Sequence, residues 1–121
     1  MSFAAAQYRT AQLNTASPVQ LVVQLYDAAI RFMTHALAAI EQGEPGVRNQ
    51  KLQRSHAIVS ELQTSLIHAH EPDLCRDLDR LYDFVLFCIK EAVVAEDRAK
   101  LEGAVRVLRD LRGAWAEVAK G

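Results

Sequence analysis

Cysteine, proline and glycine are scarce in this sequence of 121 residues, which contains two, three and five of them. Cys75 and Cys88 are too few for a disulfide framework and indicate reduced thiols. They lie on one predicted helix, about 20 Å apart by helical rise, so they should not pair with each other. No apolar run is long enough to span a bilayer, and the N-terminus has no secretory signal. We therefore expect a cytoplasmic protein that does not insert into membranes.

The sequence also lacks an excess of charge of either sign, because the formal net charge is -1. Lysine and arginine are spread along the chain and do not form a basic run. A nucleic-acid footprint needs a basic patch or stripe, so we expect no nucleic-acid partner.

Motifs that carry catalytic or metal chemistry are absent as well. The sequence has no G-x-S-x-G elbow, P-loop or G-x-G-x-x-G. His68 and His70 are two residues apart and do not share a helix face, which argues against a metal site with Glu71. No Glu is followed three residues later by His, which excludes a diiron bundle motif. We expect no catalytic residue, no cofactor and no metal, and hence no enzyme.

Helical periodicity is what the sequence does contain. Ser17, Pro18 and Gln20 form a capping box with proline at the first helical position, and Gly43 is placed to end the helix that follows. Apolar stripes at steps of three and four predict four helices, and no alternating strand pattern occurs. The predicted helices span about 18–42, 46–69, 73–95 and 97–118. We therefore expect an all-α fold, an antiparallel up-down-up-down four-helix bundle over residues 17–119, with a mobile N-terminal arm over residues 1–16.

The first and third predicted helices are more apolar than a bundle requires. A bundle helix needs one apolar stripe about 100° wide, and these two helices exceed it. A central position in the bundle, a homodimer or the N-terminal arm could cover the excess. A groove for the amphipathic helix of another protein would also explain it. Composition alone leaves these alternatives open.

The tripeptide Leu-Tyr-Asp occurs in both of these helices, and its tyrosines are Tyr26 and Tyr82. Because helices 1 and 3 of such a bundle are parallel, the tyrosines should lie at the same height. One interpretation is a shared structural layer with both rings buried. The other places one or both rings on the rim of a groove, with Tyr82 the more exposed.

Several segments together resemble the FliS family of flagellin export chaperones. They are the stretch from Thr15 to Phe32, TASPVQLVVQLYDAAIRF, the preceding YRTAQL, and the later AIEQG, LYDF, EA and LRGAW. The resemblance covers nearly the whole chain in the right order and spacing. The sequence departs from the usual pattern of the family at Ala28, Phe87, Cys88 and Val93, and in HAHEPD before helix 3.

The resemblance implies a non-enzymatic chaperone in the cytoplasm. Such proteins bind the disordered C-terminal segment of flagellin in an apolar groove, prevent premature polymerisation and assist export by the flagellar type III secretion system. A component of the export gate is a further possible partner, and the N-terminal arm would cover part of the groove. We expect a monomer or weak homodimer. The candidate groove and arm residues are Tyr8, Leu13, Leu21, Leu25, Tyr26, Ile30, Leu81, Tyr82, Val85, Ile89 and Trp115. The alternative is a self-associating helical adaptor module for another flagellar or regulatory protein.

Overall fold

The computed structural model describes residues 17–67 and 71–121, and these form four α-helices without any strand. They are α1 (Pro18–Gln42), α2 (Pro45–Thr64), α3 (Pro72–Ala95) and α4 (Arg98–Lys120). The all-α prediction is therefore confirmed. Residues 1–16, on which the expected arm falls, lie outside the described residues. Helix α2 ends at Thr64, five residues before the predicted position 69, and residues 65–67 are not helical.

Local chemistry explains most of the helix ends. The Ser17 hydroxyl accepts a hydrogen bond from the Gln20 N–H at 3.2 Å, and the Gln20 side chain accepts one from the Ser17 N–H at 2.8 Å. Gly43 ends α1 in the left-handed region, with φ of 67°. Asp97 caps α4 by accepting from the Lys100 N–H at 3.1 Å. Only Glu96 and Asp97 separate α3 from α4, and Glu96 has a φ of 52°.

Consecutive helices pack side by side and antiparallel, and α4 packs back against α1 to close the ring. Arg112, late in α4, binds Asp27, early in α1, whereas Arg98 at the start of α4 binds Glu41 near the end of α1. Helices α1 and α3 therefore lie diagonally opposite each other across the core, as do α2 and α4.

One hydrophobic core fills the centre of the ring. Helix α1 contributes four alanines to it together with Tyr26 and Met33, and the other three helices contribute mainly larger aliphatic residues. The fully buried side chains of the largest volume are Tyr26, Tyr82, Met33, Leu52, Ile58, Leu101, Leu108, Val59, Val85, Cys88 and Ser55. The Ser55 hydroxyl is satisfied inside its own helix, since it donates to the Leu52 carbonyl at 3.0 Å.

Candidate functional site

The two tyrosines of the repeated tripeptide form one buried layer across the bundle. Tyr26 is 0% exposed and Tyr82 is 2% exposed. Their hydroxyl oxygens lie 2.5 Å apart and their ring centroids 6.4 Å apart. Trp115 in α4 donates from Nε1 to the Tyr26 hydroxyl at 3.3 Å. Both rings are buried, as the interpretation as a shared structural layer predicts, and neither projects from the surface as the rim of a groove would require.

Burial decides the chemistry of these hydroxyls. Removal from water raises the pKa of Tyr82 far above its ordinary value, and the neighbouring Tyr26 raises it further. Burial also raises the pKa of Tyr26, against the lowering effect of its hydrogen bonds to Tyr82 and Trp115. Both phenols therefore stay neutral at physiological pH, where they can exchange hydrogen bonds but do not act as nucleophiles.

The aspartates that follow the tyrosines bind different neighbours. Asp27 accepts from Arg112 Nε at 2.8 Å and from Arg112 Nη2 at 3.3 Å, which joins α1 to α4. Asp83 accepts from Gln63 Nε2 at 2.7 Å, and the same amide nitrogen lies 2.8 Å from an Asp79 carboxylate oxygen. The second tripeptide thus helps to join α3 to the end of α2.

The candidate groove residues from the sequence do not lie together on one open surface. Tyr26, Tyr82, Val85 and Ile89 are buried. The half-buried members are Leu21, Leu25, Ile30, Leu81 and Trp115. Tyr8 and Leu13 lie outside the described residues. Because α1 and α3 are diagonal, they do not form the two walls of one groove along the side of the bundle.

An open apolar groove instead lies between α2 and α3, and we name it the α2–α3 groove. Its volume is about 560 Å³. Three apolar side chains remain exposed at its α3 wall, where Phe87 is 49%, Val93 37% and Val94 75% exposed. The lining residues are Leu52, Gln53, His56, Leu86, Phe87, Ile89, Lys90, Val93 and Val94. Contiguous exposed apolar surface of this kind is typical of binding sites, which makes the groove a candidate.

Polar contacts join α2 to α3 towards both ends of these helices. Arg48, buried near the start of α2, forms an ion pair with Glu96 at the end of α3. Gln63, near the end of α2, bonds Asp79 and Asp83. The Lys100 ammonium of α4 lies 5.1 Å from the centroid of the Phe87 ring, within cation–π range. The exposed phenylalanine is therefore held at its outer side by a cation.

A second apolar cavity lies at the end of the bundle that contains the start of α1, and we name it the end depression. It has a volume of about 330 Å³. Trp115 and Tyr82, two of the candidate residues, belong to its walls. Among the described residues, its walls consist of Val22, Leu62, Ser65, Leu66, Ile67, Glu71, Leu74, Cys75, Leu78, Tyr82 and Trp115.

Sequence reasoning missed most residues of the α2–α3 groove. Helix α2 supplies Leu52, Gln53 and His56, and its low overall hydropathy gave no sign of a binding wall. A usable signal was present in α3. Phe87 and Val94 are seven residues apart, the spacing of one helix face, and neither belongs to the buried stripe of that helix.

Residues 17–67 and 71–121 contain neither a candidate metal-binding group nor a candidate membrane-spanning helix. No group of three or more histidine, cysteine, aspartate or glutamate side chains in this part of the chain could hold a metal ion. Within the same ranges, no helix is long and apolar enough to cross a membrane.

Comparisons with known proteins point to one family. The family model described as flagellar protein FliS matches residues 1–121. The flagellar secretion chaperone FliS of Vibrio cholerae is 30% identical over 107 residues, which cover 88% of this chain and 79% of that protein. The protein of the same name from Bacillus subtilis is 27% identical over 110 residues, covering 91% and 81%.

A solved structure, a flagellar chaperone from bacteria, has the same fold. It superposes with a TM-score of 0.80 at 20% identity, covering 97% of this chain and 95% of the other. The resemblance read from the sequence is thereby confirmed over the whole chain, and the chain belongs to the FliS family of flagellar secretion chaperones.

Proposed function

We propose that this chaperone binds the C-terminal segment of flagellin and keeps it from polymerising in the cytoplasm before export by the flagellar type III secretion system. The α2–α3 groove is the binding surface, and the observation that carries this assignment is its open apolar wall at Phe87, Val93 and Val94. Membership of a secretion chaperone family supports the cargo and the pathway.

The dimensions of the groove suit an amphipathic helix. Phe87 and Val94 are two helical turns apart, a rise of about 10 Å, so a bound helix could place apolar side chains beside each of them. A disordered segment that folds on binding covers a large surface but has to be ordered, and this cost keeps the complex releasable. No cofactor is needed for such a cycle of binding and release.

The end depression offers a second apolar contact for the same cargo. It lies at the end of the bundle where Ser17 begins α1, since Val22 lines it. We propose that residues 1–16 cover part of the binding surface when flagellin is absent. Deletion of these residues should then raise the affinity for a flagellin peptide by removing a competitor, whereas an unchanged affinity would refute this role.

Calorimetry with a peptide from the C-terminal segment of the host's flagellin tests the proposal. We expect one-to-one binding, a gain of helicity and a negative heat-capacity change from apolar burial. The double variant F87D/V94D should weaken binding by about tenfold or more, because it places two charges in the apolar contact. Val118→Asp is a control for a charge added outside the groove, since Val118 is an exposed apolar residue of α4.

Three results would refute the proposal in different ways. A folded protein that does not bind the peptide would exclude flagellin as cargo. Binding that both F87D/V94D and Val118→Asp leave unchanged would exclude the α2–α3 groove. A stable dimer in light scattering that the peptide does not alter would favour the alternative, a self-associating adaptor that uses the same exposed side chains.

A further inference from the structure

Three cationic side chains surround one aromatic ring on the surface formed by α1 and α2. The Arg31 guanidinium carbon lies 5.4 Å from the centroid of the Phe32 ring. The Lys51 Nζ and the Arg54 guanidinium carbon each lie 5.7 Å from the same centroid. We name these four residues the Phe32 cluster. The ring packs against the core with one part and meets the cations with the rest.

The segment of α2 that supplies two of these cations contains basic residues but no carboxylates. Residues 45–60 of α2 contain Arg48, Lys51 and Arg54 but no aspartate or glutamate. Arg48 is buried and bound to Glu96, so it does not belong to the free surface. Within the part of the chain that the structure describes, neither Lys51 nor Arg54 forms an ion pair with a carboxylate.

Several other cations of the bundle lie beside carboxylates instead. Arg76, Arg98, Lys100, Arg112 and Lys120 each lie within ion-pair distance of a carboxylate. For Lys51 and Arg54, the negative face of the Phe32 ring takes the place of the carboxylate. The ring attracts these two cations but carries no net charge, so their outward N–H donors remain available to an anion.

We propose that the Phe32 cluster is a docking site for an acidic segment of a partner protein. Lys51 and Arg54 are three residues apart on one helix face, about 5 Å along the axis. A segment with two carboxylates at a similar spacing would meet both, and the guanidinium of Arg54 can bind a carboxylate through two parallel hydrogen bonds. The Phe32 ring holds the cations near these positions, which lowers the entropy lost on binding.

The size of the cluster favours a peptide over a polyanionic surface. Recognition of nucleic acid or of an anionic bilayer uses a wide basic surface, and clusters of about four to eight cations mark lipid binding. Here three cations stand on a protein whose net charge is -1. A short acidic segment needs no wider footprint.

The cluster and the α2–α3 groove lie on different sides of α2. Lys51 and Arg54 face α1, whereas Gln53 and His56 line the groove towards α3. An acidic segment at the cluster would therefore leave the groove accessible. The chaperone could hold its cargo and a second protein segment at the same time.

Fluorescence anisotropy with a short labelled peptide of alternating glutamate and alanine pairs tests the proposal on the full chain. The double variant K51E/R54E should lose about tenfold or more in affinity, and the conservative K51R/R54K should stay within about threefold. Phe32→Leu keeps an apolar side chain but removes the ring, so we expect a loss of about threefold. Added salt should weaken the wild-type complex.

The control is R106E/R109E on α4, which has the same spacing and the same change of net charge. It should leave the affinity unchanged. An equal loss in this control would show that only overall charge matters and would overturn the proposal. Tighter binding to phosphatidylserine vesicles than to the peptide, abolished by K51E/R54E, would also overturn it in favour of a membrane surface.

A second measurement does not depend on how well the variants fold. Amide chemical shifts of the wild-type protein, recorded while the glutamate peptide is added, should change at residues 31–32 and 51–54. The same peptide with glutamine in place of glutamate should produce no changes. Shifts confined to other surfaces would refute the assignment to the Phe32 cluster.

Discussion

The interface between α1 and α4 and the interface between α2 and α3 have the same plan but different interiors. Each has polar contacts towards both ends. Between α1 and α4 these are Asp27–Arg112 and Glu41–Arg98. Between α2 and α3 they are Arg48–Glu96 and Gln63–Asp83. The first is the more extensive and is filled by buried side chains. The second opens into the α2–α3 groove.

Side-chain size accounts for the difference. Helix α1 presents four buried alanines to the core, and α4 adds Ala104, so the two axes can approach closely. Along the groove, Leu86, Phe87 and Ile89 of α3 meet Leu52 and His56 of α2. Bulky residues hold the helices apart and leave apolar surface between them. The same scaffold thereby carries a closely packed interface on one side and an open apolar groove on the other.

The largest difference between the two interfaces should appear when one apolar side chain is removed from each. Leu108→Ala in α4 should lower the free energy of unfolding by about 2–5 kcal/mol, because Leu108 is completely buried. Phe87→Ala should cost less than about 1 kcal/mol, because half of this side chain already faces solvent. Urea denaturation measures both. Similar losses for the two variants would show that the groove is part of the stabilising core.

The tyrosine layer should respond unequally to loss of its two hydroxyls. Tyr26→Phe leaves both the Tyr82 hydroxyl and Trp115 Nε1 without their partner and should cost about 1–3 kcal/mol. Tyr82→Phe leaves Tyr26 with its bond from Trp115, so the loss should be smaller. Denaturation of the two single variants measures the order. The reverse order would mean that Trp115 does not hold the Tyr26 hydroxyl in solution.

Alkaline pH should weaken the same layer. The pKa of both tyrosines is raised in the folded protein, while unfolded tyrosine titrates near pH 10. Their contribution is therefore complete below about pH 10 and is lost as pH rises, because only the unfolded chain releases the protons. Each tyrosine should lower the free energy of unfolding by about 1.4 kcal/mol per pH unit above that point. Urea denaturation at several pH values measures the slope, and Y26F/Y82F should flatten it relative to wild type.

The smallest effect on stability should come from loss of the Asp27–Arg112 pair at one end of the interface between α1 and α4. Arg112→Ala removes the bonds to Asp27, but both side chains are nearly half exposed, so water and salt weaken their attraction. We expect a small loss of stability at low salt that shrinks at high salt. Arg109→Ala, an exposed cation on the same helix, provides the baseline for thermal denaturation. A loss that salt does not reduce would contradict this account of the pair.

Much of the fold could be predicted because its signals are local. The capping box at Ser17, the glycine at position 43 and the apolar stripes specify helices within a few residues. The end of α2 was the exception. The sequence has no glycine between Thr64 and Pro72, and only proline suggested a stop, so the helix was predicted to continue towards residue 69.

The candidate site was harder to predict because it depends on distances between helices. Burial of Tyr26, Tyr82 and Val85 follows from apolar periodicity, but periodicity does not tell a core position from a groove wall. The groove arises where two particular helices pack less closely, and no single helix encodes that spacing. Phe87 and Val93 gave the nearest hint, since these two departures from the usual family pattern both line the groove.

Trp115 is the only tryptophan in the chain, and its indole is bonded to the tyrosine layer at the wall of the end depression. The protein therefore carries an intrinsic optical reporter at that end of the bundle and none in the α2–α3 groove. A ligand that enters the end depression should shift the emission wavelength, whereas one confined to the groove should leave the spectrum unchanged. The fluorescence of Trp115 can thus report occupation of the end depression separately from occupation of the α2–α3 groove.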